Sequence, residues 1–114
     1  MRGSLVVVLY EHSLFGQGIG TLLRSDDQLE IACLPLGEGN IRKRLKRLRP
    51  GIIILEAPHD GVIWQWLTDL PPVTVIRVSL DEDVMDVYYG HRVVSARPDN
   101  LLDAVHTGLD GHTA

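Results

Sequence analysis

The sequence predicts an α/β fold in which a parallel sheet has helices on both faces. Near-continuous apolar runs, rich in β-branched residues, alternate along the chain with segments whose apolar residues recur at helical spacing. Such runs are typical of strands that are buried on both faces. The four clearest runs are Leu5–Tyr10, Ile52–Leu55, Val73–Val78 and His91–Ala96. We expect five core strands, with a sixth short strand as an alternative, and four full helices.

Each of these runs ends at a polar or charged residue: Glu11, Glu56, Ser79 and Arg97. The carboxyl ends of parallel strands meet at one edge of a sheet, and open α/β sheets bind their ligands there. We therefore expect the four side chains to converge, either as a working site or as the remnant of one.

Composition limits the function classes. The 114 residues form one predicted domain, 1–114, with a core at about 5–109 and a tail at 110–114. A net charge of −4 gives no general argument for binding nucleic acid or an anionic membrane. Cys33 is the only cysteine, which excludes a disulfide framework and favours a reducing cytoplasm. Leu5–Tyr10 is too short for a secretory signal or a membrane span.

The first half of the chain is predicted to form strand, helix, strand and helix. Ser13 is placed to cap the first helix, which ends at the polar residues 25–27. In Leu29–Leu34, apolar and polar residues alternate as in a half-exposed strand, which ends at Pro35. Pro50 ends the second helix. The buried stripes of these two helices are predicted as Leu14, Phe15, Ile19, Leu22 and Leu23, and as Ile41, Leu45 and Leu48.

The second half contains two further predicted helices with an irregular segment between them. Val84–Val94 holds two β-rich runs around Gly90 and resembles a hairpin more than a helix. Arg77 supports this, because a helix covering its side of the sheet would bury an unpaired charge, whereas a hairpin lets the charge reach water. The helices are predicted from Val62, Ile63, Trp66, Leu67 and Leu70, and from Leu101, Leu102, Val105 and Leu109.

Two stretches resemble the CheY-like receiver domains of response regulators. The run 6–18, with Glu11-His12 followed by Leu14-Phe15, resembles the family's first strand and the start of its first helix. The run 48–56 resembles the segment that leads to the phospho-accepting aspartate. The resemblance extends from Leu5 to about Leu109. It implies a flavodoxin-like three-layer sandwich with a five-stranded parallel sheet in the order 2-1-3-4-5.

The chain departs from the family at the chemistry. The resemblance places Glu56 at the phospho-acceptor position, Tyr10 and Glu11 at the acidic pair that holds Mg²⁺, and Ser79, Arg97 and Pro98 at the switch positions. Mg²⁺ requires near-ideal octahedral geometry, so losing one ligand and lengthening another is not conservative. Glutamate also moves the attacking oxygen by about 1.5 Å. The chain is therefore interpreted as a pseudo-receiver without phosphorylation.

Several readings of individual residues stay open. Glu56 is interpreted as a solvated carboxylate at the strand end paired with Arg97, as a mimic of the phosphorylated state, or as a true acceptor. A divalent metal held by Glu11, Glu56, His12 and His59 is a weaker hypothesis than polar structural roles, so no metal and no cofactor are expected. The glycines of 16–20 do not have dinucleotide-binding spacing and are expected to allow close helix packing. The histidines expected at the surface are His91, His106 and His112.

Two surfaces are candidates for contacts. The second helix carries a basic face, either solvated or a docking surface, formed by Arg42, Lys43, Arg44, Lys46 and Arg47. The segment around Met85, Tyr88 and Tyr89, together with Trp64, offers aromatic groups that either bind a partner or fill the space of a missing helix.

The sequence predicts a protein-interaction module that signals without phosphorylation, as the regulatory part of a transcriptional regulator or alone. No enzymatic activity is expected. There are two alternatives. One is a module that binds a metal or small ligand at the strand ends, and the other is a receiver that still accepts phosphate. The expected partner is a protein, which includes a second copy of the chain. No membrane contact is expected. Contact with nucleic acid is expected only through a further domain.

Overall fold

A computed structural model describes residues 4–36, 40–56, 73–79, 84–89, 92–96 and 101–109. The strands are β1 (Ser4–Tyr10), β2 (Leu29–Pro35), β3 (Ile52–Glu56), β4 (Thr74–Ser79), β5 (Val84–Tyr89) and β6 (Arg92–Ala96). The described helices are α1 (Ser13–Arg24), α2 (Ile41–Leu48) and α3 (Leu101–Leu109). The third predicted helix, including Trp64, lies outside the described residues.

The six strands form one mixed sheet in the order β2-β1-β3-β4-β5-β6. The pairs β1–β2, β1–β3 and β3–β4 are parallel, whereas β4–β5 and β5–β6 are antiparallel. The sequence therefore predicted an α/β fold and the order of the first four strands correctly.

Two parts of the sheet prediction were wrong. The sheet is not purely parallel, and the strand after residue 91 does not lie beside β4, because β5 is inserted between them. The physical reason is connection length. Four residues separate β4 from β5 and two separate β5 from β6, which is enough to join antiparallel strands but not parallel ones. The predicted hairpin is confirmed.

The sheet separates two apolar clusters, which makes the architecture three-layered. On one face, α1 and α3 pack against alternate residues of the strands, among them Val6, Ile54 and Met85. On the other face, α2 packs against the residues between them, among them Val7 and Ile53. β3 is buried throughout, as its unbroken apolar sequence predicts.

The helix boundaries follow the predicted stop signals with one correction. Ser13 is the first residue of α1 and not its cap; His12 is the N-cap and makes no side-chain capping bond of its own. At the other end, the Ser25 hydroxyl donates to the carbonyl of Leu22. α2 ends at Leu48, and the next residue, Arg49, has a left-handed φ of 51°. No helix among the described residues is long and apolar enough to cross a membrane.

Candidate functional site

Glu56, the last residue of β3, is buried although it carries a charge. Its Oε1 accepts the backbone N–H of Glu11 at 2.7 Å and that of His12 at 3.0 Å. Its Oε2 lies 2.6 Å from Nδ1 of the His12 ring. Both oxygens of the carboxylate are therefore engaged by the segment between β1 and α1.

Strand register explains why these residues meet. Leu9 in β1 lies opposite Leu55 in β3, so the residues that follow the two strands run side by side. Ile52 and Ile54 belong to the cluster on the α1 face of the sheet, and residues alternate along a strand, so Glu56 points to that same face. The carboxylate thus reaches the amino-terminal end of α1, where a negative charge is favourable.

The environment of Glu56 keeps it ionised. Burial raises the pKa of the carboxyl, but the His12 backbone N–H, the His12 ring, the Glu11 backbone N–H and the attraction of the His12 ring together outweigh burial and lower the pKa below its ordinary value of 4.5. An ionised carboxylate can only accept hydrogen bonds. Nδ1 of His12 therefore carries the proton that it shares with Glu56.

The other residues predicted at this edge have separate roles. The Tyr10 ring packs on Gly16 of α1, where a Cβ atom would lie 2.8 Å from Tyr10 Cδ2. The Glu11 side chain is exposed, and its backbone N–H is what meets Glu56. Ser79 ends β4 one residue beyond Val78, the residue paired with Glu56.

Glu11, Glu56 and Ser79 therefore lie at one edge of the sheet, but Glu11 contacts Glu56 through its backbone N–H and not through the side chain that was predicted to converge there. Arg97, Pro98 and His59 lie outside the described residues. Among the described residues, His12 is the side chain that contacts Glu56, and the predicted pairing of Glu56 with Arg97 stays a prediction. Among the described residues, no group of three or more His, Cys, Asp or Glu side chains is placed to hold a metal ion.

The glycines of α1 pack as predicted at two of three positions. Gly16 lies against the Tyr10 ring, and a Cβ at Gly20 would approach the Cys33 sulfur at 3.3 Å. Gly18 faces open space. Close approach of α1 to the sheet therefore accounts for Gly16 and Gly20.

The hairpin residues refine one expectation and correct another. Arg77 Nη2 lies 3.0 Å from Oδ2 of Asp86, the residue directly opposite it in β5. The Arg77 side chain is 27% exposed, so it reaches water as predicted, and it also has an acidic cross-strand partner that was not predicted. Met85, a candidate interface residue, is completely buried in the core and fills space there. Tyr88 is half-buried against the α2-side cluster, and the Tyr89 side chain lies outside the described residues.

The basic face of α2 forms as predicted. Ile41 and Leu45 are buried and Leu48 is half-buried. The five basic residues predicted for this face, Arg42, Lys43, Arg44, Lys46 and Arg47, are all exposed.

A second histidine–carboxylate pair joins His106, which was predicted only as a surface residue, to Asp26. His106 Nε2 contacts Oδ2 of Asp26, and this contact joins α3 to the turn between α1 and β2. Asp26 Oδ1 also accepts the backbone N–H of Gln28 at 3.0 Å. The Gln28 N–H first, and then the hydrogen bond and charge of His106, outweigh burial and lower the pKa of Asp26 below 3.8. The partners are 80 positions apart, so no local pattern connects them.

Comparison with known proteins identifies no relative. No family model matches the chain, and no curated protein and no solved structure matches it.

Proposed function

We propose that the chain is a receiver-like module with a flavodoxin-like ancestry that acts through protein contact and accepts no phosphate. Four adjacent strands in the order β2-β1-β3-β4 are parallel, with helices on both faces, which supports this proposal. The antiparallel β5–β6 hairpin is the departure, and it replaces a regular strand–helix unit at the end where the family's switch positions would lie.

The observation that carries the proposal is the engagement of both Glu56 oxygens. A phosphoryl acceptor must present an oxygen in line with the leaving group while Mg²⁺ neutralises the charge. In this chain, the Glu56 oxygens hold two backbone N–H groups and one imidazole. Attack on a phosphoryl donor would have to break these contacts, each of them a hydrogen bond to an ionised group.

The same contacts favour a structural role for Glu56 over mimicry of a phosphorylated state. The carboxylate joins the end of β3 to the start of α1, so it supports a single arrangement of this edge. A switch needs a ligand that binds one of two states better than the other. With the carboxylate engaged internally, we propose that the module presents a constant surface to its partner.

The hairpin is the proposed site of contact with a protein, including a second copy of the chain. β6 is at the edge of the sheet, and an edge strand can pair with another chain. We expect light scattering to detect a dimer that weakens in Tyr88→Ala. A monomer at all concentrations in both proteins would end this part of the proposal.

Acetyl phosphate tests the main proposal. We expect the chain, incubated with acetyl phosphate and Mg²⁺ and weighed intact, to gain no phosphoryl group, while a receiver with an acceptor aspartate gains one in the same reaction. The variant Glu56→Asp, whose side chain is one methylene shorter, shows whether side-chain length alone prevents phosphorylation. A phosphoryl group mapped to Glu56 in the parent chain would contradict the proposal.

A further inference from the structure

The basic surface of α2 is the strongest concentration of charge in the sequence. It consists of the exposed residues Arg42, Lys43, Arg44, Lys46 and Arg47 of α2, with Arg49 directly after it. Ile41 and Leu45 take the buried side of the helix, so the cations occupy the directions that point outward. Six of the 11 Lys and Arg residues lie here, which leaves five against 15 Asp and Glu in the rest of the chain.

Within α2 itself, the spacing of these charges opposes helix stability, although Arg42 and Arg44 each make a further interaction within the chain. The first turn contains Arg42, Lys43 and Arg44 and no acidic residue, although the amino-terminal end of a helix carries partial positive charge. Arg42 and Lys46 are four residues apart, and so are Lys43 and Arg47; like charges at this spacing destabilise a helix. Asn40 at the N-cap makes no side-chain capping bond that would offset the cost. A face retained only for solubility would be more stable with mixed charges.

The size of the surface indicates which anion it fits. Eight residues of α2 span about 12 Å, in a molecule that measures 32 × 31 × 28 Å. The rest of the chain has a net charge of −10, from its five basic and 15 acidic residues. A nucleic-acid duplex is a long polyanion and would extend past both ends of α2, so the net negative charge of the rest of the molecule opposes its binding. A short acidic segment of a protein covers α2 alone and avoids that repulsion.

We propose that the basic surface of α2 binds a short acidic segment of a partner protein. This inference rests on the proposed role in protein contact and assigns it a second surface, separate from the hairpin. Carboxylates of the segment pair with the exposed ammonium and guanidinium groups, and arginine matches a carboxylate with two parallel hydrogen bonds.

Fluorescence anisotropy with the full chain tests the inference. The probe is a labelled peptide of alternating Glu and Asp, about four residues long, because an extended chain advances about 3.3 Å per residue and α2 spans about 12 Å. Its neutral analogue of Gln and Asn is the control. We expect the acidic peptide alone to bind, and its affinity to fall when NaCl rises from about 0.1 M to about 1 M, which shortens the Debye length from about 10 Å to about 3 Å.

Charge removal provides the matched comparison. Lys43→Gln/Lys46→Gln/Arg47→Gln is expected to weaken binding by about tenfold, equivalent to about 1.4 kcal/mol. The charge-retaining variant Lys43→Arg/Lys46→Arg/Arg47→Lys and the distant variant Arg24→Gln are expected to bind as the parent does. Arg42 and Arg44 are left unchanged because each makes a further interaction within the chain.

Three results would overturn the inference. One is equal binding by the Gln triple variant and the parent. Another is tighter binding of a random-sequence DNA duplex than of the acidic peptide, which would make nucleic acid the occupant. The third is a lower Tm in the Gln triple variant, because it would give the cations a structural role in the fold. Phosphorylation at Glu56 would overturn the proposed function and leave these measurements unaffected, so the two failures are distinguishable.

Discussion

The two ends of α1 are held by the same chemistry in different surroundings. At its amino end, the carboxylate of Glu56 is 11% exposed and its histidine partner His12 is 73% exposed. At its carboxyl end, Asp26 is 20% exposed and His106 is 44% exposed. Glu56 accepts two backbone N–H groups in addition to the imidazole, whereas Asp26 accepts one.

The comparison suggests a structural interpretation for the carboxyl-terminal edge of the sheet, the edge at which the sequence predicted a site. Asp26 lies at the amino-terminal edge of the sheet, in a turn where the resemblance implies no chemistry, and its contacts join α3 to that turn. Glu56 lies at the carboxyl-terminal edge, where ligands of open α/β sheets bind. Like Asp26, Glu56 accepts backbone N–H groups and contacts one imidazole, and it accepts one more N–H than Asp26 does. We therefore interpret its contacts as a structural link between β3 and α1.

The largest expected effect is from removing the Glu56 carboxylate. Glu56→Ala leaves two backbone donors without their acceptor, at about 1–3 kcal/mol each, so we expect the free energy of unfolding to fall by about 2–6 kcal/mol in total. Asp26→Ala is expected to have a smaller effect, since one backbone donor is involved. Urea unfolding of both variants measures the difference. An equal or larger loss in Asp26→Ala would break the comparison.

The second prediction concerns close packing along α1. Gly16→Ala forces a methyl group against the Tyr10 ring and is expected to cost about 1–3 kcal/mol. Gly20→Ala meets the Cys33 sulfur and the flexible end of Arg24 at longer distances and is expected to cost less. Gly18→Ala, the control, is expected to stabilise the chain by up to about 1 kcal/mol through helix propensity. Thermal unfolding in the same order, Gly16 lowest and Gly18 highest, would confirm the packing; a stabilising Gly16→Ala would contradict it.

Acid weakens both ends of α1, and the expected loss has a definite sign. The pKa values of Glu56 and Asp26 are lowered in the folded chain, so the unfolded chain binds more protons in acid. Each carboxylate contributes its full stability above its ordinary pKa, 4.5 for Glu56 and 3.8 for Asp26, and loses it as pH falls through the lowered value. We expect the free energy of unfolding to decrease from about pH 5 to about pH 3.

Glu56→Gln identifies the share of this acid loss that belongs to the amino end of α1. The variant removes the titrating group, so its free energy of unfolding is expected to depend less on pH over the same range. A curve parallel to that of the parent would show that Glu56 does not contribute.

The smallest expected effect is at the carboxyl end of α1. The Ser25 hydroxyl donates to the Leu22 carbonyl at 2.7 Å in an exposed position. Ser25→Ala is expected to lower the free energy of unfolding by about 0.5–1 kcal/mol, the net value of one exposed hydrogen bond. Urea unfolding at high precision checks this, and a loss as large as that of Glu56→Ala would invert the proposed ranking of the two ends.

Local patterns in the sequence predicted most of the fold. Apolar periodicity identified the strands and both early helices, because burial on one or two faces leaves a direct trace in residue order. The hairpin was readable from the β-rich runs on either side of Gly90. The position of β6 was not, because the order of strands depends on pairing between distant segments, and the family resemblance favoured a parallel neighbour for β4.

The site was predicted only to the level of which residues share an edge. Glu11 and Glu56 do lie at one edge of the sheet, as the ends of parallel strands must. The Glu56 side chain contacts the backbone N–H groups of residues 11 and 12. This contact depends on the face of the sheet toward which Glu56 points and on the residue at which α1 begins, and neither can be read from local residue order. The partners His12 and Glu56 are 44 positions apart, so no spacing in the sequence indicates their contact.

An NMR titration measures whether the Glu56 carboxylate is available for phosphoryl chemistry. The ¹⁵N-labelled chain is titrated with Mg²⁺ and beryllofluoride, a stable mimic of an acyl-phosphate group, while the amide signals of Glu11 and His12 are followed. If Glu56 keeps its hydrogen bonds to the two backbone N–H groups, both amide signals keep their chemical shifts throughout the titration. A saturable shift of these two signals would show that the carboxylate has left its two backbone donors and is available for phosphoryl chemistry, which would contradict a purely structural role for Glu56.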